Sequence, residues 1–247
     1  MIVIEDLDHH FGDGNWGLKQ INLAIEHGEF VVIAGANGSG KTTLLRHLNG
    51  LLQPSNGRVK LDGSDVAKDV KRARQVVGMV FQDADSQIVG ETVFDDVAFG
   101  PENLCLPPDE IKRRVTLALK AVGLLKQARQ APHLLSGGEK RRLAIAGVLA
   151  MKPQVLAMDE PFANLDFPGT REVLKQILFL HRAGHTIIIA THDVEKVIAH
   201  ADRLIILQAG EVTRIGRPDA LMDELEAYGI RQPCAVRFGM EIQPWLS

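Results

Sequence analysis

FVVIAGANGSGKTTLLRHL, residues 30–48, runs from a compact apolar segment through a glycine-rich loop into leucines at helical spacing. Phe30–Ala34 has the length of a strand, and Leu44, Leu45, Leu48 and Leu51 give residues 41–52 one apolar face. Between them, Gly35-Ala36-Asn37-Gly38-Ser39-Gly40-Lys41-Thr42 matches G-x-x-x-x-G-K-[ST], with the preceding strand and following helix that this motif requires. Glycines let the backbone turn successive N–H groups toward phosphate oxygens. The Lys41 ammonium then reaches the β- and γ-phosphates, and the Thr42 hydroxyl ligates Mg²⁺.

Outward from this centre, residues 155–158 read as an apolar strand ending in Asp159-Glu160. In a phosphate-loop fold the first acid holds the magnesium shell, and the second is placed to polarise an attacking water. Residues 186–190 form another strand, followed by Thr191-His192. A histidine there either bonds a γ-phosphate or its attacking water, or is structural. Gln82 closes the strand read over 76–81, an amide able to contact Mg²⁺ and water when its loop is in place. Phe11, ahead of the turn Gly12-Asp13-Gly14-Asn15, is either a purine-stacking aromatic or core.

The remaining elements alternate. Residues 1–25 read as strands around that turn, 109–122 and 170–180 as helices, and 204–207 as a last strand. Apolar strands alternating with helices predict an α/β fold whose sheet is mostly parallel and buried on both faces. From about Gln82 to Leu149 helices follow one another without strands, which reads as a helical insertion.

Composition agrees with a soluble globular chain: 247 residues, 45% hydrophobic and 24% charged. A net charge of −3 argues against a nucleic-acid partner. Cys105 and Cys234 make neither a disulfide framework nor a Cys-x-x-Cys metal site, and a reducing cytoplasm is the simpler setting. The first residues hold acids and no apolar signal core, and no apolar run approaches the ~18 residues of a membrane span. If the protein works at a membrane, a partner supplies the membrane. His181 and His185, separated by Gly184 from any shared helical face, read as structural; His9-His10 and Asp95-Asp96 read as solvated or strand-edge residues.

LLSGGEKRRLAI, residues 134–145, raises a separate question. Ser136 and Glu139 form a capping box ahead of a helix that reads to about Ala150, yet two glycines sit in its first turn. Lys140, Arg141 and Arg142 follow, at the positive end of the helix dipole, where cations are unfavourable. A helix start with bare N–H groups is an anion site, and Gly137 and Gly138 let a phosphate approach it closely. One triphosphate needs only one such cradle. That is enough for an ordinary kinase or GTPase; the alternative is that the second helix start caps the γ-phosphate of a nucleotide bound to another copy.

Taken in order, residues 35–42, Gln82, LSGGE at 135–139, 156–160, Asn164-Leu165-Asp166 and His192 resemble the nucleotide-binding subunits of ABC transporters over residues 2–225. The resemblance implies a P-loop ABC ATPase fold over 1–228, with a mostly parallel core sheet, an antiparallel N-terminal β part, a helical subdomain at about 83–150 and a short tail at 229–247. It implies ATP and Mg²⁺ as cofactors. Two ATPs would be sandwiched head to tail between subunits, each P-loop facing the partner's LSGG segment.

Residue by residue, the resemblance makes Glu160 the catalytic base, His192 the switch at the γ-phosphate, and Gln82 a catalytic and magnesium contact. Phe11 stacks on adenine. Gly35, Asn37, Gly38, Ser39, Gly40, Lys41, Thr42 and Thr43 bind phosphate, with Thr42 and Asp159 also on magnesium. Ser136, Gly137 and Gly138 bind the facing nucleotide, and Asp166 belongs to the loop linking the two sites. The cations 140–142 would lie near that phosphate.

VFQDADSQIVGETVFDDVAFGPENLCL, residues 80–106, resembles more narrowly the energy-coupling-factor and cobalt/nickel-importer ATPases, through Gln82, Gln87 and DDVAFGPENL. That resemblance implies a short helix beyond Gln82, its first turn suited to Asp83 and Asp85. It also implies an integral-membrane partner contacted through about 82–104, a separate substrate-binding membrane subunit, and a place on the cytoplasmic face of the membrane. Asp83-Ala84 departs from the pair seen after the glutamine in many relatives. A cobalt or nickel ion and a water-soluble vitamin both remain open as solute, the compact chain favouring the metal. The complete motif set favours a homodimer over pairing with a similar ATPase. The alternative is a soluble ABC-type ATPase of macromolecular assembly, such as iron–sulfur cluster assembly, against which DDVAFGPENL weighs.

Overall fold

A computed structural model describes residues 1–12 and 14–246. Asp13, within the turn expected at 12–15, and Ser247, in the tail, lie outside the described residues.

Two sheets form. The antiparallel one has order β2-β1-β4-β5, from β1 (Ile2–His10), β2 (Trp16–Ile25), β4 (Asn56–Leu61) and β5 (Ser64–Asp65). In β1 the inward set is Ile2 and Ile4, then Leu7 and His9. The one-residue slip in that alternation is a bulge at Asp6, whose φ is 47°. His9 is therefore buried rather than solvated, its ring 4.8 Å from that of His47.

The core sheet has order β10-β9-β3-β8-β7-β6, from β3 (Phe30–Ala34), β6 (Val77–Val80), β7 (Val155–Asp159), β8 (Thr186–Thr191), β9 (Arg203–Gln208) and β10 (Glu211–Gly216). All its pairings are parallel except that of β10 with β9. Alternate residues feed two cores. Val31, Ile33, Ala157, Ile188 and Ile205 join α1 (Lys41–Leu48) and the antiparallel sheet, while Val32, Leu156, Ile187, Ile189 and Ile206 face the other helices. Burial on both faces is why these strands read as unbroken apolar runs.

The helical segment consists of α3 (Val93–Asn103), α4 (Pro108–Ala121) and α5 (Gly137–Ala150), after α2 (Val70–Val76), which precedes β6. Its core is not separate: Val97, Leu119 and Leu143 belong to the same cluster as Leu156 and Ile187. α5 packs against α3, α4, α6 (Phe167–Arg182) and β6, so it is apolar on most sides.

Residues 83–92 are not helical, and the first turn that acids cap is that of α3. Thr92 and Asp95 form its capping box. Asp96 is buried, and its Oδ1 accepts from the N–H groups of Val89 (2.8 Å) and Gly90 (3.0 Å). Asp95 and Asp96 thus organise the loop instead of lying free in solvent. Asp83 makes a local turn instead, accepting from Asp85 N–H at 3.1 Å.

Candidate functional site

Because β8 lies between β3 and β7, the carboxyl ends of these three strands are adjacent, with Ala34 level with Thr191 and Asp159 level with Ala190. The loops leaving them meet in one place, outside the carboxyl edge where open parallel sheets bind ligands.

Gly40 caps α1 at φ 104°, and a Cβ there would stand 2.8 Å from the Gly17 carbonyl oxygen. Only glycine takes this corner without strain. Behind it the Ser39 hydroxyl is buried without a partner. The first-turn N–H groups of α1 have no carbonyl of their own helix to reach. Donors lacking acceptors make a cradle that fits phosphate.

Lys41 is 6% exposed, and its Nζ donates to the carbonyls of Gly35 (2.8 Å) and Ala36 (3.0 Å). Burial pushes its pKa down, opposed by the charges of Glu160 and Asp159. Thr42 Oγ1 donates to Asp159 Oδ2 at 2.6 Å. Burial pushes the Asp159 carboxyl up, the Thr42 bond opposing. A hydroxyl beside a buried carboxylate is a hard oxygen set of the kind magnesium takes.

Glu160 leaves β7 at φ 45°, its N–H donating to the Ala190 carbonyl at 2.9 Å. Its carboxylate accepts from Thr191 Oγ1 at 2.8 Å and from His192 through both the backbone N–H (2.9 Å) and Nδ1 (2.7 Å). Thr191 was not singled out from the sequence; its place beside a histidine at a strand end was the signal.

Phe11, Asn37, Gly38, Gly40, Lys41, Thr42, Thr43, Gln82, Asp159 and Glu160 line one cleft of about 410 Å³. Gly35 and Ser39 belong to the loop behind it, and His192 joins through Glu160. Phe11 is half exposed at the rim, its ring edge-on to His9. Trp16 lines the same cleft, also half exposed, and was missed. The hairpin register, which sets Trp16 opposite His10, brings it there.

Ser136, Gly137, Gly138 and Asp166 lie elsewhere, around a second concavity of about 500 Å³ that shares no lining residue with the first. The capping box forms as read: Ser136 N–H donates to Glu139 Oε2 at 2.8 Å and Glu139 N–H to Ser136 Oγ at 3.3 Å. Asp166 caps α6 through Gly169 N–H at 2.8 Å. A Cβ on Gly138 would stand 3.0 Å from the Gly169 Cα, so glycine lets the starts of α5 and α6 touch.

Of the three cations expected near that start, only Arg142 lines the concavity. Lys140 Nζ pairs with Asp85 at 2.6 Å, and Arg141 turns to the carbonyls of Phe81 and Gln82. The cations serve the loop after β6 because α5 packs beside β6. Gln87 serves the same strand end, its side chain bonding Phe81 N–H and the Met79 carbonyl at 3.1 Å each.

A third concavity, about 690 Å³ and mainly apolar, runs between α2, β6, α3 and α5. Val89, Phe99 and Leu104 come from the expected 82–104 stretch, while Leu51, Val70 and Met151 complete it from outside. Among the described residues no helix is long and apolar enough to cross a membrane. Cys105 and Cys234 are free, and His181 bonds the Gly28 carbonyl at 2.9 Å.

Residues 18–163 match the family model for ABC transporters. The chain is 45% identical over 229 residues to the energy-coupling factor transporter ATP-binding protein EcfA of Methanothermobacter thermautotrophicus, covering 92% of this chain and 74% of that one. It is 45% identical over 246 residues to EcfA2 of Symbiobacterium thermophilum, covering 95% and 85%. Among solved structures, cbiO1 of Clostridium perfringens, part of the ABC transporter complex cbiONQ, matches with a TM-score of 0.83 at 41% identity, over 92% of each chain. A dimeric bacterial ABC transporter cassette matches with a TM-score of 0.77 at 30% identity, over 88% of this chain and 99% of that one.

Proposed function

The chain belongs to the ABC transporter family, as one of its ATPases, and we propose that it is the motor subunit of an energy-coupling-factor importer, working as a head-to-tail homodimer. The observation that carries this reading is the separation of the two glycine-led helix starts, α1 and α5, whose concavities share no residue. ATP held by Lys41 then meets the LSGG start of α5 only when a second copy supplies it.

Lys41 leaves its loop carbonyls for the β- and γ-phosphates, which removes the mismatch of a buried ammonium among neutral acceptors. Thr42 and Asp159, with Gln82 facing the same cleft, would hold magnesium, which neutralises phosphate charge when bound. Glu160 orients a water and takes its proton as the water oxygen bonds the γ-phosphorus and the bond to the bridging oxygen breaks, releasing ADP and phosphate. His192, now on Glu160, swings to the γ-phosphate as ATP binds. Phe11 stacks on adenine.

The apolar groove receives a helix of an integral-membrane partner, on the cytoplasmic face of the membrane. Its exposed Val89 and Phe99 are the side chains such a helix would cover. The solute is a cobalt or nickel ion or, as the second choice, a water-soluble vitamin, and a separate membrane subunit binds it.

Two measurements test this. Glu160→Gln is expected to give an ATP-stabilised dimer by light scattering without turnover, and a persistent monomer overturns the sandwich. Affinity purification from gently solubilised native membranes is expected to bring down an integral-membrane subunit and a small substrate-binding companion. Soluble partners alone overturn the importer.

A further inference from the structure

The chain places three cations where a helix dipole disfavours them, and the structure shows what two of them hold. Arg141, in the first turns of α5, is 4% exposed. Its Nη1 donates to the Phe81 carbonyl and its Nη2 to the Gln82 carbonyl at 2.5 Å. The planar fork thus bridges successive carbonyls and fixes the peptide plane between Phe81 and Gln82. Lys140, one residue earlier, reaches Asp85 at 2.6 Å and holds the next stretch of the same loop.

Stability alone does not account for this arrangement. The Arg141 charge is bonded to neutral carbonyls, its Nε has no partner, and burial pushes its pKa down, with Asp83 and Asp159 opposing. A buried charge so placed is a poorer choice for stability than an apolar side chain of similar volume. What it provides is a stiff link between two functional parts. At one end is the glycine start of α5. At the other are Gln82, lining the nucleotide cleft, and Phe81, Gln87 and Val89, lining the groove.

We propose that Arg141, backed by Lys140, is a positioning residue that makes the loop at 81–85 move with α5, so that closure on the facing γ-phosphate sets Gln82 and reshapes the groove in one step. This rests on the head-to-tail reading above. Arg141 acts through the backbone of Gln82 and does not itself line the cleft that holds Lys41 and Glu160.

The test uses the full chain, with Arg141→Gln and Arg141→Lys made in the native and the Glu160→Gln backgrounds. In the native background, kcat for ATP is expected to fall at least tenfold in Arg141→Gln with KM within about twofold, and Arg141→Lys, which can reach one carbonyl, recovers part. In the Glu160→Gln background with ATP, amide hydrogen exchange over 81–92 is expected to rise about tenfold, while the P-loop and β7 stay protected. Lys140→Ala, nearer the surface, gives a smaller rise in the same segment and keeps the test usable if Arg141→Gln does not fold. Unchanged exchange over 81–92, an unchanged kcat, or a rise spread evenly over the chain overturns the link. Failure of Glu160→Gln alone to dimerise overturns the sandwich and the link with it. A normal dimer with no change at 81–92 overturns the link alone.

Discussion

Glu160 sits at φ 45° with its carboxylate held by Thr191 and twice by His192. Thr191→Val keeps the shape but removes the hydroxyl, leaving a buried carboxylate oxygen one donor short, a loss of about 1–3 kcal/mol. The expected outcome is a fall in kcat of roughly tenfold with little change in KM, and recovery in Thr191→Ser, read in steady-state ATPase assays. Asp159 carries the opposite strain. Burial raises its pKa, so the folded, nucleotide-free chain holds that proton more tightly than the unfolded chain does. Its contribution to stability is therefore lost as pH rises above the ordinary carboxylate range. Asp159→Asn is expected to raise the melting midpoint without nucleotide at pH 7.5. It also abolishes the shift given by MgATP, about 2.7 kcal/mol at a hundredfold excess over Kd. Most of these side chains were legible as residue types at motif spacing. Thr191 and Trp16 were not, because their roles come from what stands beside them across a sheet or hairpin.

At the scale of elements, helix starts explain most of what could be read. Ser136 and Glu139 announced α5, and the strand, glycine loop and leucines announced β3 and α1. The same chemistry at α3 passed unnoticed, since Thr92 pairs with Asp95 rather than a glutamate, and Asp83 and Asp85 lie closer to Gln82. Asp96, the residue after that capping pair, gathers the N–H groups of Val89 and Gly90 beside the groove. Asp96→Ala leaves both without that acceptor and is expected to destabilise the chain by about 1–3 kcal/mol. Limited proteolysis should then cut within 83–92 while β3 and β7 remain intact. Cleavage no faster than in the native chain overturns this role. Strands β4, β5 and β10 were missed because they are short or half exposed, so their apolar pattern is weak.

For the molecule as a whole, burial sets the response to pH. It pushes the pKa of His47, His185 and His200 down, so each is neutral when folded at values where the unfolded chain begins to take up protons. Stability from these groups is present above the ordinary histidine value of about 6.5 and is lost as pH falls below it. The urea midpoint is expected to drop between pH 7.5 and 5.5, and His47→Gln to flatten that drop. An equal drop in the variant removes His47 from the account. The amino-acid sequence by itself determined the α/β class, the phosphate loop, the acids at a strand end and the glycine start of α5. The loop, the acids and the glycine start are local patterns, written in residues close together along the chain, and the class follows from the order in which apolar strands and helices alternate. The tertiary structure alone decided that β8 stands between β3 and β7, that the two helix starts open on separate concavities, and that Arg141 grips the Gln82 loop. Those pairings join residues tens of positions apart, and their energy comes from burial and packing, which no local spacing records.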